Sequence, residues 1–301
     1  MQQAKVSFLT VNYKQSAVTL DLVSSLEKMT YSNWECIVVD NASESQELEQ
    51  DLSEKPQFKC VRSTENLGFA GGNNLGLPLC EGDYIFLINN DTEVPENFLE
   101  PIMEFATGLD NLGALSPMIR YFDEPQKIQF AGCTEMNKIT LRNSGIGDGE
   151  LDEGQYNKAY PVPFCHGAAM MVPRAVIDKV GEMRDDYFLY YEELDWCERI
   201  RQAGYENWFC GYSFLWHKES VSTGRNSPLK TYYLTRNRLL FARRNYGAFT
   251  QLLNYLYFGL VALPKNLISF VLRKEFEQAR SFWRGYVYNL THKASDSADR
   301  Y

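Results

Sequence analysis

"YIFLINNDTEVP", residues 84–95, decides how this chain is read. Tyr84 to Ile88 is an apolar run suited to lie between two layers, and it runs straight into Asn89, Asn90 and Asp91, two amides and a carboxylate. Asn and Asp favour turns in their own right, so one such ending says little. The neighbouring runs repeat it. Residues 6–11 end at Thr10, Val11 and Asn12; residues 36–40 end at Asp40 and Asn41; residues 59–63 are followed by Glu65, Asn66, Leu67 and Gly68. Apolar strands that each hand polar groups to one edge describe a crevice for a polar ligand. Between the first two runs, Val18, Leu22, Leu26 and Met29 recur at helical spacing with Ser16 as a cap, and residues 71–80 form a second candidate helix. The alternation predicts an α/β fold, a mostly parallel sheet flanked by helices, with ligands beyond the carboxyl ends of the strands.

A chain of 301 residues allows one large α/β domain, or one with a small appendage. Its net charge of −9 is uneven: from Arg236 onward eleven Lys and Arg stand against four Asp and Glu. The body is therefore strongly acidic, which argues against nucleic acid as a partner, and the basic tail suits an anionic surface. The seven cysteines are odd in number, with no CxxC pair, so neither a zinc site nor a disulfide framework is expected. The opening "MQQAKVSFLTVNY" reads as a strand rather than a signal peptide, which places the protein in the cytoplasm.

Downstream, residues 144–155 are rich in Gly and acid and read either as a lid or as a surface loop. Residues 164–172 read as a strand. Residues 185–205 open with aromatics and become a helix, with Leu194, Cys197 and Ile200 in register and Gly204 as the stop. From Leu229 Tyr, Leu, Phe and Arg dominate, in helices expected to break near Pro264. The organisation is thus a catalytic domain over 1–228 and a helical region over 229–301. Residues 252–263 look too short and interrupted to span a membrane. Arg273, Lys274, Arg280 and Arg284, interleaved with Phe276, Phe282, Trp283 and Tyr286, suit peripheral contact with a membrane surface or a packing and dimerisation element.

Asp91, at a strand tip beside two amides, suits a hard divalent cation that shares oxygens with a phosphate. The glycines of "ENLGFAGGNNLG" (65–76) let backbone approach a ligand, although they match neither G-x-G-x-x-G nor the P-loop. Glu192, Glu193 and Asp195 form an acid cluster at a helix start, where adjacent glutamates repel and raise at least one proton affinity.

Taken in order, "TVNY" (10–13), "VVDNAS" (38–43), "ENLGFAGGNN" (65–74), "FLINND" (86–91), "HGAAMMV" (166–172), "YYEELDWCERIRQAGY" (190–205), His217 and "YYLTRNRL" (232–239) resemble the family 2 glycosyltransferases, in the bacterial rhamnosyltransferase-like subgroup. The resemblance covers residues 6–240. It implies a glycosyltransferase A-type, Rossmann-like domain that inverts the sugar it moves from a nucleotide-diphosphate donor to a saccharide or lipid-linked saccharide; the alternative is a non-catalytic sugar-nucleotide module. By the same resemblance Thr10, Asn12, Asp40, Asn66, Gly71, Asn73 and Asn90 lie along the nucleotide sugar. Arg236 either neutralises the diphosphate or faces the acidic body. Asp91 and His217 hold Mg2+ or Mn2+, with Asn89 where the family has the first acid of its D-x-D motif. Glu193 stands where the family has its base, with Glu192 in reserve. His166, Gly167 and Asp195 belong to the acceptor side.

Overall fold

The computed structural model describes residues 3–218 and 227–294. The chain begins as strand and helix in turn: β1 (Val6–Asn12), α1 (Ser16–Leu26), β2 (Trp34–Asn41), α2 (Glu47–Ser53), β3 (Phe58–Ser63), α3 (Gly68–Gly76) and β4 (Tyr84–Ile88). β1 pairs in parallel with β2 and β4, and β2 with β3. The registers set Asn12 beside Asp40 and Asp40 beside Arg62, so the polar tips foreseen in the sequence do share an edge. α3 packs close to these strands because a Cβ at Gly76 would lie 2.4 Å from Leu9 Cδ1.

Beyond β4 the sheet becomes mixed. The chain continues through β5 (Thr92–Glu93), α4 (Leu99–Ala106), β6 (Leu112–Tyr121), β7 (Ile128–Phe130), β8 (Ala159–Pro161), β9 (Ala169–Pro173), α5 (Arg174–Val180), α6 (Glu192–Gln202) and β10 (Glu206–His217). Among the described residues the sheet has ten strands in the order β3-β2-β1-β4-β9-β6-β10-β5, with β7 on β6 and β8 on β10. β9 runs antiparallel to β4 and pairs Ile88 with Ala169, which brings the 166–168 turn against the tip that carries Asp91. β10 lies between β6 and β5 and ends with His217 opposite Thr92. Two distant stretches of sequence are thereby forced to the same corner.

The 144–155 segment is a surface loop, as the second reading had it, tied to the body by main-chain hydrogen bonds. Ile146 N–H donates to Gly132 O at 2.8 Å, Gly149 N–H to Ile128 O at 2.8 Å, and Cys133 bridges to Gly145.

Four helices follow: α7 (Pro228–Asn245), α8 (Ala248–Tyr257), α9 (Leu263–Leu272) and α10 (Phe276–Thr291). The expected break near Pro264 is absent. A π turn over Phe258–Ala262 joins α8 to α9, so Ala248–Leu272 is one helical run of 25 residues. A proline lacks the N–H that an α-helix needs, and the widened turn absorbs that loss. The run is long and apolar enough to cross a membrane, which corrects the reading of 252–263 as too short. One face is nevertheless packed on protein. Asn254, Phe258 and Ala262 are buried, and Asn254 Nδ2 donates to Ile139 O at 2.9 Å.

Candidate active site

The strand tips are joined by one polar network. Asn12 Nδ2 donates to Asp40 Oδ1 at 3.1 Å and lies 3.1 Å from Ser43 Oγ. Arg62 Nε donates to Asp40 Oδ2 at 3.1 Å. Asn12 Oδ1 accepts from Thr19 Oγ1 at 3.0 Å, and Thr19 Oγ1 in turn accepts from Asn90 Nδ2 at 3.0 Å. Thr19 and Arg62, absent from the sequence reading, therefore fix three of the expected nucleotide-side residues. Thr10 is buried beneath them, its hydroxyl without a hydrogen-bond partner among the described residues. Asn66 Oδ1 accepts from Asn41 Nδ2 at 3.0 Å and from Gly68 N–H at 2.9 Å, which shapes the entry to α3. Asn73 turns its amide back to Phe69 O at 2.9 Å, and a Cβ at Gly71 would meet Leu67 and Asp185. Both of these support α3 from within.

Asp91 and His217 face each other. Asp91 Oδ1 lies 3.1 Å from His217 Nε2 and accepts no hydrogen bond among the described residues. His217 Nδ1 sits 2.8 Å from Gln129 Oε1. With the ring proton on Nδ1, donated to Gln129 Oε1, the Nε2 lone pair is turned to the carboxylate. In that tautomer Asp91 and His217 could hold a cation, and a second partner on the other ring nitrogen is the usual support of a metal-binding histidine. Among the described residues no group of three or more His, Cys, Asp and Glu gathers as a metal site. A pair of ligands suits a Mg2+ or Mn2+ that keeps room for phosphate oxygens. Asn89 Nδ2 stands 3.5 Å from His217 Nε2, and Asn89 N–H donates to Ala168 O at 2.9 Å.

This last bond leads to the acid pair. Ala168 follows Gly167, where a Cβ would stand 3.6 Å from Glu193 Cδ. Glu193 and His166 line a cavity of about 300 Å³, together with Gln129, Asn143, Asp148 and Tyr121. Gln129 lines this cavity and also holds His217, whose ring centroid is 6.2 Å from that of His166, so the Asp91–His217 pair adjoins the cavity that Glu193 lines without lining it. Burial raises the proton affinity of Glu193. It raises that of Glu192 well above the ordinary carboxylate range, with the charge of Glu193 adding to it. Glu192 is 2% exposed, and its Oε2 has no hydrogen-bond partner among the described residues. Glu193 has access to the cavity and Glu192 does not line it. His166 Nδ1 accepts from Ala168 N–H at 3.1 Å, and burial next to His217 pushes its pKa down to about 3.

The backbone before the acids is strained. Phe188, Tyr190 and Tyr191 hold φ of 64°, 69° and 76°, values that cost free energy in non-glycine residues. The loop is pinned from two sides. Gly68, at φ 72°, leaves 2.2 Å between a built Cβ and Phe188 O, and Phe69 N–H donates to that oxygen at 2.8 Å. From α7, Asn237 Nδ2 lies 3.0, 2.8 and 2.7 Å from the carbonyls of Tyr187, Leu189 and Tyr190.

Burial bears on two further expectations. Arg236 is 0% exposed and donates to Asp186 O at 2.7 Å and Tyr187 O at 2.8 Å, with its charge acting on Glu192, which fits the second of its two expected roles, facing the acidic body. Asp195 is also 0% exposed. Its oxygens accept from Arg184 at 3.0 Å, Tyr187 at 3.1 Å, Arg199 at 2.9 Å and Asn245 at 2.9 Å. It anchors α6 and does not contact an acceptor. Removing one partner from such a buried ionic cluster leaves the others uncompensated. Asp195→Ala is expected to lower unfolding free energy by about 3 kcal/mol or more in urea titration. A raised acceptor KM with unchanged stability would return Asp195 to the acceptor side.

Comparison with known proteins adds the following. A family model described as Glycosyl transferase family 2 matches residues 7–181. The chain is 25% identical over 288 residues to the low-salt glycan biosynthesis hexosyltransferase Agl10 of Haloferax volcanii, covering 90% of this chain and 86% of that protein. It is 21% identical over 285 residues to the N-acetylglucosaminyl-diphospho-decaprenol L-rhamnosyltransferase of Mycobacterium tuberculosis, covering 86% and 91%. Its fold is similar to that of the mannosyltransferase PcManGT from Pyrobaculum calidifontis, solved with GDP-Man and Mn2+, at TM-score 0.60 and 14% identity over 97% of this chain and 88% of that one.

Proposed function

Because the chain belongs to glycosyl transferase family 2 and is a glycosyltransferase, we propose that it moves a hexose, L-rhamnose in the first instance, from a nucleoside-diphosphate donor to a hydroxyl of a lipid-linked saccharide, with inversion. The observation that carries this reading is adjacency: Gln129, bonded to His217 opposite Asp91, lines the cavity that Glu193 also lines.

The acceptor hydroxyl enters beside Glu193, which takes its proton as the oxygen attacks the anomeric carbon. The bond to the donor phosphate breaks on the opposite face, and that geometry inverts the centre in one step. Asp91 and His217 would hold Mg2+ or Mn2+, whose charge offsets that gained by the departing diphosphate. The 10–91 network seats the nucleotide. The rhamnosyl donor and the lipid carrier are suggested by the mycobacterial relative's name. A coupled assay for nucleoside diphosphate release tests the reading across dTDP-, UDP- and GDP-sugars. Metal-dependent release with at least one donor is expected. Donor binding without any release fits the non-catalytic alternative instead.

A lipid-linked acceptor gives the apolar helix a role. Phe249, Leu252, Leu256 and Leu260 recur every three or four residues on the face of the 248–272 run turned away from Asn254 and Phe258, and Leu260 and Leu272 are 74% and 78% exposed. With one face held by protein, the helix lies on a bilayer and does not cross it, and Arg273, Lys274, Arg280 and Arg284 meet anionic headgroups. The protein is thus peripheral on the cytoplasmic membrane face. It should co-sediment with vesicles of phosphatidylglycerol and phosphatidylcholine, and Leu260→Asp with Leu272→Asp should release it. Equal sedimentation of the double variant, or a shift from dimer to monomer on substitution, points to self-association instead.

A further inference from the structure

The cavity beside Glu193 carries a charge preference. Its outer wall is the 143–148 segment, tied to the body by the Ile146 and Gly149 hydrogen bonds. From that wall Asp148 lines the cavity and accepts from the Tyr121 hydroxyl at 2.8 Å. Glu193 lines it as well. The other polar lining groups are uncharged. Asn143 and Gln129 are amides, and the His166 ring, with Nδ1 occupied by the Ala168 N–H, has only Nε2 on which to carry a proton. Among the described residues no Lys or Arg lines this space. Glu193 and the exposed carboxylate of Asp148 give the lining a negative potential that no lining side chain among the described residues offsets. Hydroxyls can be bound there by amide and carboxylate acceptors, with Phe130 and Phe164 offering apolar surface. A carboxylate on the seated sugar would meet like charge there, and like-charge juxtaposition is an effective way to reject a wrong partner.

We propose that the acceptor sugar seated in this cavity carries no carboxylate, and that Asp148 is the residue that disfavours uronates. The proposal rests on the glycosyltransferase reading above and names the acceptor class of the same site. The cavity's size, about 300 Å³, is at the small end of ligand sites and suits a single monosaccharide residue of the acceptor.

The test compares transfer to octyl glucoside, octyl rhamnoside and octyl N-acetylglucosaminide with transfer to octyl glucuronide, in the unaltered protein and in Asp148→Asn and Asp148→Lys. The neutral acceptors are expected to exceed the glucuronide by about tenfold or more in kcat/KM, the ratio that one close like-charge contact of about 1.4 kcal/mol supplies. Asp148→Asn should shrink that ratio severalfold and Asp148→Lys should shrink it further. Raising the salt concentration should shrink it in the unaltered protein as well. A charge effect is read in this ratio, which a merely structural loss would leave in place. Glucuronide used as readily as the glucoside, or a ratio indifferent to both substitutions, overturns the proposal. Nucleoside diphosphate release without acceptor is followed in parallel. Its absence with every donor would strike the glycosyltransferase reading, whereas its presence with indiscriminate acceptor use strikes this inference alone.

Discussion

Replacing Glu193 with Gln is expected to lower kcat by roughly 10²- to 10⁴-fold, the range that a positioned general base contributes, while donor affinity stays within a few-fold of the original. The amide keeps the size and the cavity contact against Gly167 but cannot take a proton. The pH profile gives a second signature. Burial raises the Glu193 pKa above the ordinary glutamate range. Below that raised value the carboxyl holds its proton and the base is lost; above it the base is free. The acid limb of kcat/KM should therefore lie above about pH 4.3, the unperturbed glutamate value, and should vanish from whatever activity Glu193→Gln retains. Glu192→Gln separates the two acids, because Glu192 is buried and does not line the cavity. It should keep far more activity than Glu193→Gln. The reverse order in stopped assays would move the base to Glu192.

Asp91→Asn is expected to cost roughly 10²- to 10³-fold in turnover, the scale on which one preorganised charge contact to a transition state is lost. The substitution keeps the shape and removes the charge that faces His217 Nε2 at 3.1 Å. Thermal shift distinguishes this effect from misfolding. In the unaltered protein Mn2+ together with a nucleoside diphosphate should raise the melting temperature, since ligand at 100 times its Kd adds about 2.7 kcal/mol. In Asp91→Asn the nucleotide's own shift should survive and the Mn2+ increment should disappear, with the melting temperature of the free protein little changed. Gln129→Leu makes the same point from behind the ring, because it removes the acceptor that fixes the His217 tautomer. Metal affinity should fall by about 10- to 100-fold. An undiminished Mn2+ increment in Asp91→Asn would remove Asp91 from the metal site.

How much of this site could be read in the sequence depended on how local its determinants are. The strand tips were visible because an apolar run that ends in Asn or Asp is a short pattern, and parallel pairing then aligns such ends automatically. Glu193 was visible as part of an acid cluster opening a helix. Asp195 was drawn into the same group, yet residues two apart on a helix do not share a face, and the structure turns it inward to Arg184 and Arg199. The two roles left open for Arg236 could not be separated because nothing in "YYLTRNRL" reveals that α7 lies over the 185–191 loop. Gln129, Thr19 and Asp148 carry no local signature. Gln129 acts only because a three-residue strand pairs with β6 next to the end of β10. The Pro264 break failed for the opposite reason: proline's usual effect was known, and a π turn accommodated it.

The strained loop before Glu193 is fastened through its carbonyls, which accept from the Phe69 N–H of α3 and from the Arg236 and Asn237 side chains of α7, whereas the wall formed by residues 143–148 hangs on the β7 region. Catalytic alignment and choice of recipient are thus written on separable pieces of the chain. Lineages could exchange one glycan target for another by altering that outer wall while the proton acceptor keeps its place, and a combinatorial library confined to it would explore new recipients without rebuilding the catalyst.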